Sequence, residues 1–324
     1  MGPVVVLAVG GVGNQLFQLA AGRMLAEVSG RELLVSCRMF DVPAYRRAYL
    51  AMRRLVRLAA RSTSDARFTI RSHGRFPEVM KIQDRVCECD RGFERRFGFH
   101  RKRLRRVMHG DAMTGFIVIR EVAELLDASS KEHVQLDDRP ALIAGFMQSD
   151  LVVNPQIESL RSEIKLPVGT PYLRRSLEGT AVSNHELVAV HVRRGDYTKK
   201  KNAASFALLP PEWYREAAEI VIAEQRAVRF IVVSDDPAWC RDHLRLPGET
   251  RIASAAHPIS PLEDLALIAS CRHQIIANST FSWWGARLSP SMGTVVAPSS
   301  WFRDRETPSN LFPDSWKRLQ NPVA

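Results

Sequence analysis

Unbroken apolar runs alternate along this chain with stretches of helical period, and glycine or proline stands at most of the changeovers. VVVLAV, Val4 to Val9, stops at GGVGNQ and gives way to LFQLAAGRMLAEVSG, whose apolar residues recur at helical spacing. Gly30 is placed to close that helix in a left-handed cap, and Leu33 to Ser36 predicts a second strand. Residues 40 to 140 show no clear period. Their most conspicuous feature is RGFERRFGFHRKRLRR at 91 to 106, which reads by default as a solvated helix face or a basic loop. ALIAGF at 141 to 146 returns to strand character, and NPQIESLRSEI after it predicts a helix.

Pro167, Gly169 and Pro171 then break the pattern, so 166 to 172 is expected to be a hinge. Beyond it strands are predicted at 187 to 192, 228 to 233, near 251, at 274 to 277 and at 294 to 297. Helices are predicted between them at 211 to 225, 237 to 245, 261 to 270 and 282 to 289. Such alternation implies parallel sheets with right-handed crossovers. The expected architecture is α/β: two Rossmann-like domains facing a cleft, residues 1 to 168 and 169 to 324, with a last helix that crosses back.

Composition narrows the choice of partner. A hydrophobic content of 45% and a charged content of 25% over 324 residues are those of a soluble globular protein. The net charge of +11 implies attraction to anions, whether nucleic acid, an acidic membrane surface or a phosphorylated small molecule. Five scattered cysteines (Cys37, Cys87, Cys89, Cys240, Cys271) argue against a disulfide framework and for a reducing compartment. Cys87-Glu88-Cys89 has the wrong spacing for zinc, and no metal site is read. The apolar start is too short for a signal peptide, and no run approaches the roughly 18 apolar residues of a spanning helix.

Four segments stand at predicted carboxyl ends of strands, where open α/β sheets bind ligands. GGVGNQLF, Gly10 to Phe17, nearly matches a dinucleotide fingerprint, but Leu16 takes the place of its third glycine. Gly11 and Gly13 still permit close backbone approach to a phosphate or a sugar, or simply make a tight turn. HVRRGDY, His191 to Tyr197, sets two arginines at a strand's end, and Arg193 is suited to fork onto a diphosphate. Asp196, the only carboxylate of that loop, either accepts a proton from an incoming hydroxyl or pairs with Arg194. FIVVSDDPAW ends a strand in Asp235 and Asp236, which accept from a guanine edge or cap the next helix. IIANSTFSWWGA clusters Asn278, Ser279, Thr280 and Ser282 where a strand hands over to a helix, beside Trp283 and Trp284.

Taken together, GGVGNQLFQ, GFMQSD at 145 to 150, HVRRGDY and CRHQIIANSTFSWWGARL at 271 to 288 resemble the inverting α-1,2-fucosyltransferases of glycosyltransferase family 11, in order and in spacing. The resemblance implies a GT-B fold with GDP-β-L-fucose held mainly by the C-terminal half. It also implies a galactose-type glycan acceptor fucosylated on O2 with inversion. His191 and one of Asp235 and Asp236 would read guanine or ribose, and Arg193 would hold the β-phosphate. Thr280 and Ser282, with Asn278 and Ser279 beside them, would meet the phosphates. Gly11, Gly13 and Asn14 would approach the donor from the other domain, and Phe146 and Gln148 would meet the acceptor. The related α-1,6 enzymes carry a glutamate shortly after their H-x-R-R-x-D segment. TKKKNAASF, which follows Tyr197, has no carboxylate, so Asp196 is the base by elimination. GFMQSD also lacks the second aromatic of the commoner GYFQ and GYWQ. No cofactor or metal is expected, and the implied setting is a bacterial cytoplasm, with peripheral contact at the inner membrane.

The competing classes fit less well. Another fucosyl linkage such as α-1,6 keeps the fold, but NSTFSWWGA favours the α-1,2 group. A nucleic-acid binder would interleave aromatics with Lys and Arg on one face, whereas the tryptophans here cluster in strand–helix turns. An NAD-dependent oxidoreductase would need the missing glycine and an acidic residue at the end of the second strand. The RGD within HVRRGDY is too short a motif to carry cell adhesion.

Overall fold

The computed structural model describes residues 1–36, 86–88, 96, 98–129, 137–178, 186–224, 228–253, 261–291 and 293–321. The chain divides into two compact units, Met1–Lys165 and Leu166–Ala324. In the first, the order is β1 (Val4–Leu7), α1 (Val12–Ser29), β2 (Leu33–Ser36), β3 (Val86–Glu88), α2 (Arg101–Met108), β4 (Ile117–Ile119), α3 (Val122–Ser129), β5 (Ala141–Ile143), α4 (Asp150–Val153) and α5 (Ile157–Glu163). Its five strands pair in parallel in the order β3-β2-β1-β5-β4. β1 lies in the middle, and all four of its residues are buried, as its unbroken apolar run requires. Val5, Leu7 and Leu142 pack on Leu104 and Val107 of α2. That helix therefore turns Leu104 and Val107 inward, with Met108 packed beside them, and leaves Lys102, Arg105 and Arg106 exposed. Most of the basic stretch ahead of it, 91 to 95 and 97, lies outside the described residues.

The second unit holds α6 (Pro171–Ser176), β6 (Glu186–Val192), α7 (Lys200–Ala203), α8 (Pro211–Glu224), β7 (Val228–Ser234), α9 (Pro237–His243), β8 (Glu249–Ile252), α10 (Pro261–Ser270), β9 (His273–Ile275), α11 (Thr280–Arg287), β10 (Val295–Pro298) and β11 (Lys317–Leu319). The six strands are parallel, in the order β11-β10-β9-β6-β7-β8. Alternate residues of β6 and β7 feed two separate cores. Val188, Val190, Val192, Phe230 and Val232 meet Trp213, Tyr214, Ala217 and Val221 of α8. Ala189, Ile231 and Val233 meet Ala266, Leu267 and Ile268 of α10. A sheet covered by helices on both faces is what near-continuous apolar strands demand.

One expectation is corrected by this topology. The last element of the described chain is a strand, β11, rather than a helix that crosses back. Its sequence Lys-Arg-Leu has almost no apolar signal, because an edge strand with solvent-facing side chains needs none.

Candidate functional site

In the second unit the chain runs from β6 outward through β7 to β8, then returns to the other side of β6 and runs outward through β9 to β11. The order reverses between β6 and β9. Ligands of open α/β sheets sit outside the carboxyl ends of the strands at such a reversal. At those ends stand His191, near the end of β6, with the segment that continues to Tyr197, Asn278 to Ser282 after β9, and Ser234 to Asp236 at the end of the adjacent β7.

His191 lies on the β6 face that carries Ala189, and its ring centroid is 5.5 Å from that of Phe281 on α11. It is buried, and its Nδ1 has no hydrogen-bond partner among the described residues. Burial, with the Arg193 charge adding to it, pushes its pKa down to about 3. The imidazole is therefore neutral at ordinary pH and offers a hydrogen bond rather than a charge.

Arg193 is a third exposed and is held on two sides, by Asp196 and, at 2.9 Å, by Asp235. Arg194 faces the other way. Its guanidinium lies 3.9 Å over the Trp239 ring and 3.4 Å from Asp236, so its part is structural. The two neighbouring aspartates divide the remaining tasks. Asp235 also accepts the Arg194 backbone N–H at 2.8 Å, and Asp236 caps α9 by accepting the Trp239 N–H at 3.1 Å. Gly195 has a reason of its own: a Cβ there would stand 2.4 Å from the Asp235 carboxylate. Asp196 thus pairs with Arg193 rather than with Arg194, and its backbone carbonyl accepts from the Asn202 amide at 2.9 Å.

The loop after β9 differs from expectation at two residues. Asn278 is 1% exposed and its amide donates to the carbonyls of Ala207 and Trp301, both at 3.2 Å, so it fastens neighbouring loops. Ser282 is fully buried and its hydroxyl donates back to Ser279. Neither side chain is presented to an anion. A run of small polar residues on a strand–helix turn does not reveal which of them point inward. The start of α11 is open only in part: Ser279, buried, is its N-cap residue but makes no capping bond, and Thr280 is partly exposed. A helix N-terminus whose N–H groups its own cap leaves alone suits an anion.

In the first unit the chain runs outward from β1 through β2 to β3, resumes at the opposite edge with β4 and comes inward to β5 beside β1; the segments that leave β1 and β5 are GGVGN and GFMQSD. Gly10 takes φ +77° at the turn, and Gly11 is an N-cap residue with no side chain to offer α1. Gln18, fully buried on α1, joins the two segments by accepting the Val9 N–H at 3.0 Å and donating to the Gly145 carbonyl at 3.2 Å. Gln148 donates to Asn14 Oδ1 at 3.0 Å. Met147, buried, has φ +54°, a backbone that a side-chain-bearing residue seldom adopts, and it turns Phe146 outward to 46% exposure. Gly13, Asn14, Phe146 and Gln148 are thus gathered at one end of this sheet. Gln18 and Met147 escaped sequence reasoning, although an amide in the apolar stretch of α1 was a legible signal.

Among the described residues no group of three or more His, Cys, Asp or Glu side chains is arranged to hold a metal ion. Cys240 and Cys271 are buried thiols, and desolvation raises both pKa values, Cys271 to about 12, which leaves them unreactive. No helix of the described residues is long and apolar enough to cross a membrane.

Two parallel sheets, the second with an uncapped helix start and polar loops at its reversal, define a protein of the α/β class. Within that class the chain belongs to glycosyl transferase family 11, whose profile matches residues 140–320, more than half of it. That span contains GFMQSD, HVRRGDY and NSTFSWW. The chain is 33% identical over 138 residues to the O-antigen biosynthesis glycosyltransferase WbnK of Escherichia coli, 42% of this chain and 45% of that one. It is 30% identical over 185 residues to an alpha-1,2-colitosyltransferase of Escherichia coli, covering 54% and 61%. Against galactoside alpha-(1,2)-fucosyltransferase 1 of Saimiri sciureus it is 29% identical over 212 residues, covering 59% and 56%. The matches thus span roughly half the length of these relatives.

Proposed function

We propose that this protein is an inverting fucosyltransferase that moves L-fucose from GDP-β-L-fucose to O2 of a galactose-type acceptor. One observation carries the reading: Arg193 and the uncapped start of α11 flank the sheet reversal inside the span matched by the family profile. In the reaction the acceptor O2 attacks C1 of fucose, the bond from C1 to the phosphate oxygen breaks, and GDP departs with the electron pair. Fixed positive charge at the departing phosphate is a large lever on such a step. Arg193 and the α11 dipole supply it, so the scheme calls for neither metal nor cofactor. His191, neutral and with an unmet Nδ1, suits a hydrogen bond to the nucleotide. Asp196 takes the proton from the acceptor hydroxyl once the diphosphate has drawn Arg193 away from it. The acceptor is received on the first unit, at Phe146 and Gln148.

The relative named as a colitosyltransferase supports a second reading, the same α-1,2 linkage with a different sugar. Incubation with GDP-fucose and lactose, a simple β-galactoside, followed by linkage analysis of the product tests both. The expected product carries α-linked fucose on O2 of galactose. Another linkage would overturn the first reading, and turnover with nucleotide-linked colitose alone would favour the second.

A further inference from the structure

Tyr197 closes HVRRGDY and has no part in the chemistry above, yet three contacts converge on it. Its hydroxyl donates at 2.8 Å to the backbone carbonyl of Asn278, 81 residues away, and so joins the loop after β6 to the loop after β9 across the sheet reversal. Its ring stacks on Phe206, with centroids 4.5 Å apart and planes 12° from parallel. Phe206 in turn meets Phe302 at 5.8 Å. The Arg193 guanidinium lies 5.5 Å from the Tyr197 ring centroid, on its face. Tyr197 also belongs to the 3-10 turn, Gly195–Thr198, that carries Asp196. It is 8% exposed, and burial holds its hydroxyl protonated well above the ordinary tyrosine range, so the bond to Asn278 persists at any working pH.

We propose that Tyr197 is a positioning residue of the donor site: its hydroxyl fixes the spacing between Arg193 and the first turn of α11. The inference rests on the reading of this end of the sheet as the GDP-fucose site. A guanidinium and a helix N-terminus grip one diphosphate together only when their separation matches it, and side chains on opposite sides of a sheet reversal need a tether to hold that distance. The aromatic stack holds the ring in place, so loss of the hydroxyl alone releases the tether while the packing stays.

Calorimetric titration of wild type and Tyr197→Phe with GDP tests this, alongside thermal midpoints with and without GDP. Wild type is expected to bind, and Tyr197→Phe to bind about tenfold more weakly, the net worth of one hydrogen bond. The unliganded midpoint should fall by a few degrees, because the bond exists without GDP, and the rise that GDP produces should also shrink. The KM for GDP-fucose should rise by more than kcat falls. Equal GDP affinity in the two proteins overturns the positioning role, whatever happens to the midpoint. If wild type itself fails to bind GDP, the donor-site reading fails and the positioning role falls with it.

Discussion

At the scale of single residues, the charge balance around Arg193 decides how the site works. Two guanidinium groups, Arg193 and Arg194, stand among three carboxylates, Asp196, Asp235 and Asp236. An anion that comes to Arg193 must therefore displace a carboxylate already bound to it. On the proposed mechanism Asp196 is both the donor's competitor and, once displaced, the base. Asp196→Asn should accordingly bind GDP about fivefold more tightly, since about 1 kcal/mol of repulsion is removed. The same variant should lose on the order of 100-fold in transfer, the lower end of what a general base contributes. Binding is read by titration and transfer by a steady-state assay. Unchanged affinity would mean that Asp196 does not compete with the diphosphate, and unchanged turnover would remove it as the base.

At the scale of elements, the start of α11 depends on how that helix sits against α10. Gly285 makes the close approach possible, because a Cβ there would stand 2.4 Å from Ile268 Cγ2 and 2.8 Å from its Cβ, neither of which can swing away. Gly285→Ala should destabilise the protein by about 1–3 kcal/mol through overpacking, measured by denaturant unfolding. A smaller change would show that the two helices can shift apart freely. Most elements of the second unit were legible in the sequence, because strands buried on both faces leave unbroken apolar runs and the helices between them begin at prolines or polar caps. β4 and α3 were not, since a three-residue strand and a two-turn helix give too few positions to establish a period. At the site, the segments could be read but the directions of their side chains could not. NSTFS shows five consecutive residues, four of them polar, and only the folded chain shows that Asn278 turns inward to other loops and Ser282 back onto its own turn, while Ser279 leaves α11 uncapped. Likewise the adjacent aspartates of SDDP are equivalent on paper. They differ only because Asp236 stands one residue before a helix and Asp235 reaches back to the neighbouring loop.

At the scale of the whole molecule, each unit carries its own parallel sheet, and the chemically distinctive segments are divided between them. Glycines, Asn14, Phe146 and Gln148 gather on the first, and the arginines, aspartates and α11 on the second. On the proposed function, the reversal in the second unit receives guanosine diphosphate. Calorimetric titration of the purified protein with GDP, and separately with ADP, in the absence of added metal tests it most directly. Saturable GDP binding and at least tenfold weaker binding of ADP are expected. Equal affinities, or no binding of either nucleotide, would contradict it.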